Sequence, residues 1–160
     1  QNEDRWFANM LYLMGEKKGM EFMQALSKQE NSIRGGRSLV TQLLGAGEYD
    51  LQVVAYWYRP QLMKKQGAPV DWVGIEPAIV ALHPISIVER SPHPNAARLF
   101  IDFAISDEGQ KIFTLRGRES AKPGLKPEGY PSHLKVFPSR VQLAERLEEY
   151  TQSYRALFVR

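Results

Sequence analysis

Apolar residues recur at helical spacing from Asp4 to Met14, where Trp6, Phe7, Met10, Leu11 and Met14 share a face and Gly15 follows as a natural stop. A second run, Gly19 to Lys28, spaces Met20, Phe22, Met23 and Leu26 in the same way. The pattern predicts two amphipathic helices packed on one core, with the methionines and aromatics filling that core and not forming a cofactor box. Ser32-Ile33-Arg34 reads as a short extended piece and Gly35-Gly36-Arg37-Ser38 as a turn. A third helix then carries Leu39, Leu43 and Leu44, with Ser38 placed to cap it and Gly45 and Gly47 to end it.

The periodicity changes after Asp50. The stretch Asp50 to Tyr58 is rich in β-branched and aromatic residues and predicts a strand leading to Pro60. A polar helix through Leu62 to Lys65 follows, Gly67-Ala68-Pro69 breaks it, and Val70 to Val73 predicts another strand. Ala78 to Leu82, continued by Ile85 to Val88, is an almost unbroken apolar run, the signature of a strand buried on both faces. Pro94 suits the first turn of a helix whose buried face would be Ala96, Ala97, Leu99, Phe100, Phe103 and Ala104. Ser106-Asp107-Glu108 restarts a helix with a cap and two acids at its positive end, turning Ile112 and Phe113 inward. Gly117 to Pro131, with Gly124 and Gly129, predicts an irregular crossing segment, and Arg140 to Phe158 a closing helix. Alternating strands and helices give an α/β class.

Composition narrows the function classes. With 43% hydrophobic and 24% charged residues, the 160-residue chain can bury a core and does not read as disordered. Its net charge of +3 comes from 21 basic and 18 acidic residues interspersed along the sequence, which argues against the basic stripe of a nucleic-acid surface. The absence of cysteine excludes disulfides, thiolate catalysis and cysteine-bound zinc or iron–sulfur centres. No apolar run is long enough to span a membrane, and no signal peptide is present, so export would be signalled by residues outside this sequence. The opening Gln1-Asn2-Glu3-Asp4, without an initiator Met, fits a processed or excised product.

Several clusters carry candidate chemistry. Arg34-Gly35-Gly36-Arg37-Ser38 holds two guanidinium groups, a hydroxyl and backbone N–H groups at a helix start, which is the chemistry of an anion cradle. The same residues equally make a glycine turn with a capping serine and solvated arginines. Tyr56, Trp57 and Tyr58 offer either a wall for an organic solute or oxygen donors for a metal, against ordinary strand packing. Glu76 faces a cleft in one reading and is a solvated turn residue in the other. His83, His93 and His133 lack metal-ligand spacing, and Asp107 with Glu108 reads as a charged helical turn. No Gly-x-Ser-x-Gly elbow or phosphate-binding loop occurs.

The string Ser91 to Phe103, containing His93-Pro94-Asn95-Ala96-Ala97, followed by Ser106-Asp107-Glu108-Gly109-Gln110, resembles a segment of bacterial extracellular solute-binding proteins. Leu44-Gly45-Ala46-Gly47-Glu48 before a strand and Lys65-Gln66-Gly67-Ala68-Pro69-Val70 ahead of Glu76-Pro77 agree with that family in order and spacing. The resemblance implies a type 2 periplasmic binding fold, in which two α/β lobes close on a solute, nearest the branch that holds ferric-iron-binding proteins. Against that fold the chain looks like a C-terminal fragment: residues 1–77 would belong to the second lobe, 78–122 to the first, and 123–160 to the crossing segment and a helix returning to the second.

Ferric-binding relatives hold the metal with two adjacent tyrosines after the Gly-Glu motif. Here Trp57 takes the place of the first and Tyr58 that of the second. The resemblance therefore implies Arg34, Gly36, Arg37, Ser38, Tyr56, Trp57, Tyr58 and Glu76 as ligand-binding residues and Tyr58 as the metal ligand if Fe(III) is the cargo. It further implies a non-enzymatic protein without a resident cofactor, periplasmic or extracellular, that passes iron(III) or another small anionic solute to an ABC transporter permease. Rival readings are an α/β hydrolase using Ser38, Asp50 and a histidine, and a protein-interaction module. In a fragment, the faces of Ala78 to Leu82 and of Leu99, Phe100 and Phe103 would favour self-association.

Overall fold

The computed structural model describes residues 3–81 and 83–159. They form seven α-helices, two short strands and one 3₁₀ segment. Two compact units divide the chain: residues 1–82 with 133–160, and residues 83–132.

In the first unit, α1 (Glu3–Met14) and α2 (Glu16–Ser27) form the predicted helical pair, and α7 (Leu147–Phe158) packs on both. The helical spacing that put Phe7, Met10 and Leu11 on one face of α1 is what buries them, together with Ala8, Met23 and Tyr150. Phe7 and Met23 are fully buried. Phe7 meets Tyr154 edge to face at 6.1 Å between ring centroids, the geometry aromatic quadrupoles favour. Gly19 lets α2 approach the backbone of Leu11 closely, where a Cβ would stand 2.7 Å from its Cα. The 3₁₀ segment Val141–Arg146 leads into α7, and Arg146 ties its start to Glu149 and, at 3.1 Å, to Glu16 of α2.

The strand β1 (Ala78–Val80) pairs in parallel with β2 (Val136–Pro138), in the register Ala78 with Val136 and Val80 with Pro138. A side chain lengthens this short ladder at one end and a further backbone bond at the other. The Lys135 N–H donates to Glu76 Oε1 at 2.8 Å, and beyond β2 the Ser139 N–H donates to the Val80 carbonyl at 2.8 Å. Buried Asn9 of α1 then pins the chain after β2, donating to Ser139 Oγ and accepting from the Arg140 N–H, both at 3.0 Å.

The sequence overstated strand content. Residues 50–57 are irregular, with bends at Asp50, Val53 and Val54, Val54 lies in the left-handed region at φ 63°, and Tyr58 already opens α4 (Tyr58–Lys65). A β-branched residue takes that conformation only at a cost, so the predicted strand is interrupted at its centre. Its β-formers lack a neighbouring strand, and β propensity depends on such packing. Val70 to Val73 is likewise no strand: Val70 is buried beside Gly45 of α3 (Arg37–Gly45), and Asp71 Oδ1 accepts the Trp72 N–H. Ser32 to Arg34 makes no ladder either. The run from Ala78 yields three strand residues, half-buried and not covered on both faces; Leu82 lies outside the described residues, and Ile85 and Val88 are exposed coil.

The second unit holds α5 (Pro94–Ile105), with Pro94 in its first turn as expected, and α6 (Asp107–Leu115). The predicted inward faces are outward here. Leu99 is 72% exposed and Phe100 62%, and Phe103, Ile112 and Phe113 are exposed as well. Helical periodicity identifies an apolar stripe but not the element that covers it. Gly117 to Pro131 is irregular, as its glycines and prolines imply.

Phe7→Ala should lower stability by about 3–5 kcal/mol, since it empties the centre of the α1–α2–α7 core. Urea denaturation followed by circular dichroism reads this directly, and a loss below about 1 kcal/mol would mean that the core does not rest on Phe7.

Candidate functional site

Gly36, not Ser38, occupies the N-cap of α3, at φ 87° and without a side-chain capping bond. Only glycine adopts that conformation freely, which explains the glycine at this position. Ser38 is drawn into the first helical turn. The helix start is secured from outside by a buried polar knot: Thr41, 1% exposed, donates its hydroxyl to the Arg37 carbonyl at 2.8 Å and lies 2.8 Å from Gln52 Oε1, while Gln52 Nε2 donates to the same carbonyl at 3.2 Å. Gln52 thereby straps residues 50–57 onto α3, where the sequence predicted a strand.

That strap brings Arg37 and the tyrosines together. The Arg37 guanidinium lies 5.0 Å from the centroid of the Tyr56 ring, Tyr56 stacks on Tyr58 at 5.9 Å and 23°, and the Arg59 guanidinium lies 5.4 Å from the Tyr58 centroid. The four side chains form a continuous series of contacts, a column in which each ring of the aromatic pair is met by a guanidinium, and the ring quadrupoles stabilise each of those meetings. Arg37 is also paired with Glu3 of α1, Nε to Oε1 at 3.1 Å, with its side chain only 14% exposed. Much of its charge is thus neutralised from within the fold, which makes Arg37 first of all a support for Tyr56. Trp57 meets Trp72 at 5.7 Å, and Trp72 Nε1 donates to Gln61 Oε1 at 3.0 Å.

The remaining predicted residues stand apart from the column. Arg34 is exposed, and among the described residues its guanidinium reaches only the neighbouring Ile33 carbonyl, at 3.5 Å. Glu76 is exposed and engaged by the Lys135 N–H as a strap on the sheet. Among the described residues no three His, Asp or Glu side chains gather as a metal site, and no hydrogen bond joins Ser38, Asp50 and a histidine. Sequence reading missed Glu3, Thr41, Gln52 and Arg59. Arg59 directly follows Tyr58 and could have been found as the charge next to an aromatic run, and Thr41 stands one helical turn after Arg37; Glu3 and Gln52 lie too far along the chain to be linked to Arg37 by spacing.

Two of the sequence motifs meet in space. Leu44 to Gly47, at the end of α3, and Pro69-Val70, beyond α4, line a shallow open hollow of about 390 Å³ together with Tyr49, Asp50 and Asp71. Asp71 is held below the usual carboxylate range by its bond to Lys64. The family model for bacterial extracellular solute-binding proteins matches residues 5–119, from α1 through α6. The chain belongs to that family. No curated protein and no solved structure matches it. Membership implies a periplasmic-binding-protein-like fold, capture of a solute for transport outside the cytoplasm, and a protein that is in general not an enzyme. No helix among the described residues is long and apolar enough to cross a membrane.

The motif Ser106-Asp107-Glu108-Gly109-Gln110 proves to build a corner and not a pocket. Ser106 caps α6 by accepting the Gly109 N–H at 3.1 Å. A Cβ on Gly109 would collide with the Phe103 carbonyl. Buried Gln110 donates to the Ala104 carbonyl at 2.7 Å and accepts from the Ser120 hydroxyl and the Ala121 N–H, clamping the following loop to the helices. Lys122 pairs with Asp107 and holds its carboxyl below the usual range.

Gly109→Ala should destabilise the protein by about 2 kcal/mol or more, because the clashing atom is backbone and cannot turn aside. Wild-type stability in a denaturant titration would remove the close approach from the account. Asp107 contributes stability above the ordinary carboxylate range that is lost as pH falls through its depressed pKa. Lys122→Ala should accordingly raise the Asp107 pKa toward the ordinary value, measurable by carboxyl-carbon NMR titration; an unmoved pKa would assign the shift to another cause.

Proposed function

We propose that the protein captures a small solute reversibly and delivers it to an ABC transporter permease, and that the solute-facing surface is built from the start of α3 and the aromatic segment before α4. The observation that carries this reading is the convergence, within one compact unit, of Arg37 at the start of α3 with Tyr56 and Tyr58, over residues the solute-binding family model spans. Rigid aromatic walls bordered by donors suit solute recognition, because two-torsion side chains lose little entropy on binding. Trp57 lies beside this surface; Arg34 and Glu76 are placed at its periphery in this reading.

The type 2 two-lobed fold belongs to the same proposal. In it residues 1–77 and 123–160 serve the second lobe and 78–122 the first, and affinity comes from closure of two lobes in the intact protein. The exposed apolar stripes of α5 and α6 support a cover supplied by further α/β structure of the same protein, since large side chains at 42–84% exposure leave stabilisation unused. Iron(III) and small anions are the candidate solutes. For iron, Tyr58 is the phenolate donor to test; the Arg59 guanidinium on the Tyr58 ring favours the anion.

Tryptophan emission tests the reading, because the Trp57–Trp72 pair adjoins Tyr58. Titration of the intact protein with solute panels should give a saturable change for one chemical class, and Trp57→Phe should remove most of that change while affinity falls by less than about tenfold. Catalytic turnover of a panel member, or absence of saturable binding to any class, would refute solute capture.

A further inference from the structure

Several partly buried cations of the first unit have an acidic partner. Arg37 has Glu3, and at the surface Lys64 has Asp71 and Arg146 has Glu16 and Glu149. Arg59 differs. Its residue is half-buried, its Nε is shielded from water without a hydrogen-bond partner, and among the described residues its guanidinium meets the face of Tyr58 and no carboxylate. A shielded N–H that has lost water and gained no acceptor is costly, and the cost is larger on a charged group. A cation–π contact offsets part of the charge but gives the N–H no acceptor, because the guanidinium lies over the ring and not beside an oxygen.

The position of Arg59 gives that deficit a direction. It is the second residue of α4, whose first turn contains no acid and whose N-cap, Trp57, supplies no side-chain cap, so neither the first turn nor the cap neutralises it. It also closes the column that begins with Arg37. Arg37 is already neutralised by Glu3, which leaves Arg59 as the cation of the column with unspent charge. The planar ring beneath it restricts the guanidinium, and a preorganised fork loses less entropy on meeting a planar oxyanion.

Resting on the solute-capture reading above, we infer that Arg59 is the specificity-determining residue of this site, and that the solute carries a carboxylate or another oxyanion that accepts from the Arg59 guanidinium. Tyr58 acts as the positioning residue that holds the guanidinium flat. Organic carboxylates and inorganic oxyanions share this chemistry, and the choice of probe separates them.

The test is calorimetry on the intact protein with citrate and succinate as carboxylates, sulfate and phosphate as inorganic oxyanions, and glucose and maltose as uncharged controls. The expected result is saturable binding of at least one anion, weakened about 10- to 100-fold in Arg59→Gln. Arg59→Lys should recover part of the affinity, because the charge remains and the fork is lost. Melting temperatures of both variants close to wild type exclude unfolding as the cause; if Arg59→Gln fails to fold, the ratio of wild type to Arg59→Lys decides. Anion binding that is equal in all three proteins overturns the role of Arg59. Saturable binding of an uncharged solute alone overturns the anion assignment and leaves solute capture standing, whereas no binding by any probe class counts against both.

Discussion

Burial of Phe7 between α2 and α7 is the constraint from which the rest of the first unit follows. Phe7 fixes the rotation of α1 about its axis, and that rotation brings Glu3 to Arg37 and Asn9 to the chain after β2. From Arg37 the order passes through Tyr56 and Tyr58 to Arg59. A hydrophobic contact thus sets the geometry of a polar surface some fifty residues further along the sequence. Such a surface needs a rigid support, because donors displaced by a fraction of an ångström lose much of their discrimination between solutes.

Charge is managed differently along that chain of contacts. The Glu3–Arg37 pair neutralises the inner guanidinium and is largely shielded from water, so removing Glu3 would leave a poorly solvated cation. The outer guanidinium, on Arg59, has no such counterion among the described residues and leans on an aromatic face. The sheet follows an analogous logic on a small scale: three residues per strand make a weak ladder, and Glu76, Ser139 and Asn9 extend it with bonds from outside the strands.

The helical elements were legible in the sequence because their signals are local. Periodicity found α1, α2 and α7, Pro94 marked the start of α5, and Ser106 was correctly placed as a cap. Strands were read poorly for the reason that β-rich composition reports a willingness to pair and not a partner. Asp50 to Tyr58 has the composition of a strand, yet Gln52 ties it to α3 and Val54 bends it. In the same way the apolar stripe of α5 was visible but not its exposure, and β2 was missed because three residues, one of them Pro138, carry almost no pattern. Of the predicted site residues, the structure brings Arg37, Tyr56 and Tyr58 into contact, with Gly36 and Ser38 flanking Arg37 in the chain. Arg59 and Glu3 escaped notice since their importance lies in what they meet.

Family membership supplies the class of function, and the proposal places it on the column from Arg37 to Arg59. The most direct measurement is hydrogen–deuterium exchange on the intact protein with and without saturating solute. The account predicts added protection in residues 36–41 and 56–61, where the start of α3 and the start of α4 carry the column. Protection confined to residues 44–50 and 69–71, around the open hollow, or no change in either region at saturation, would contradict it.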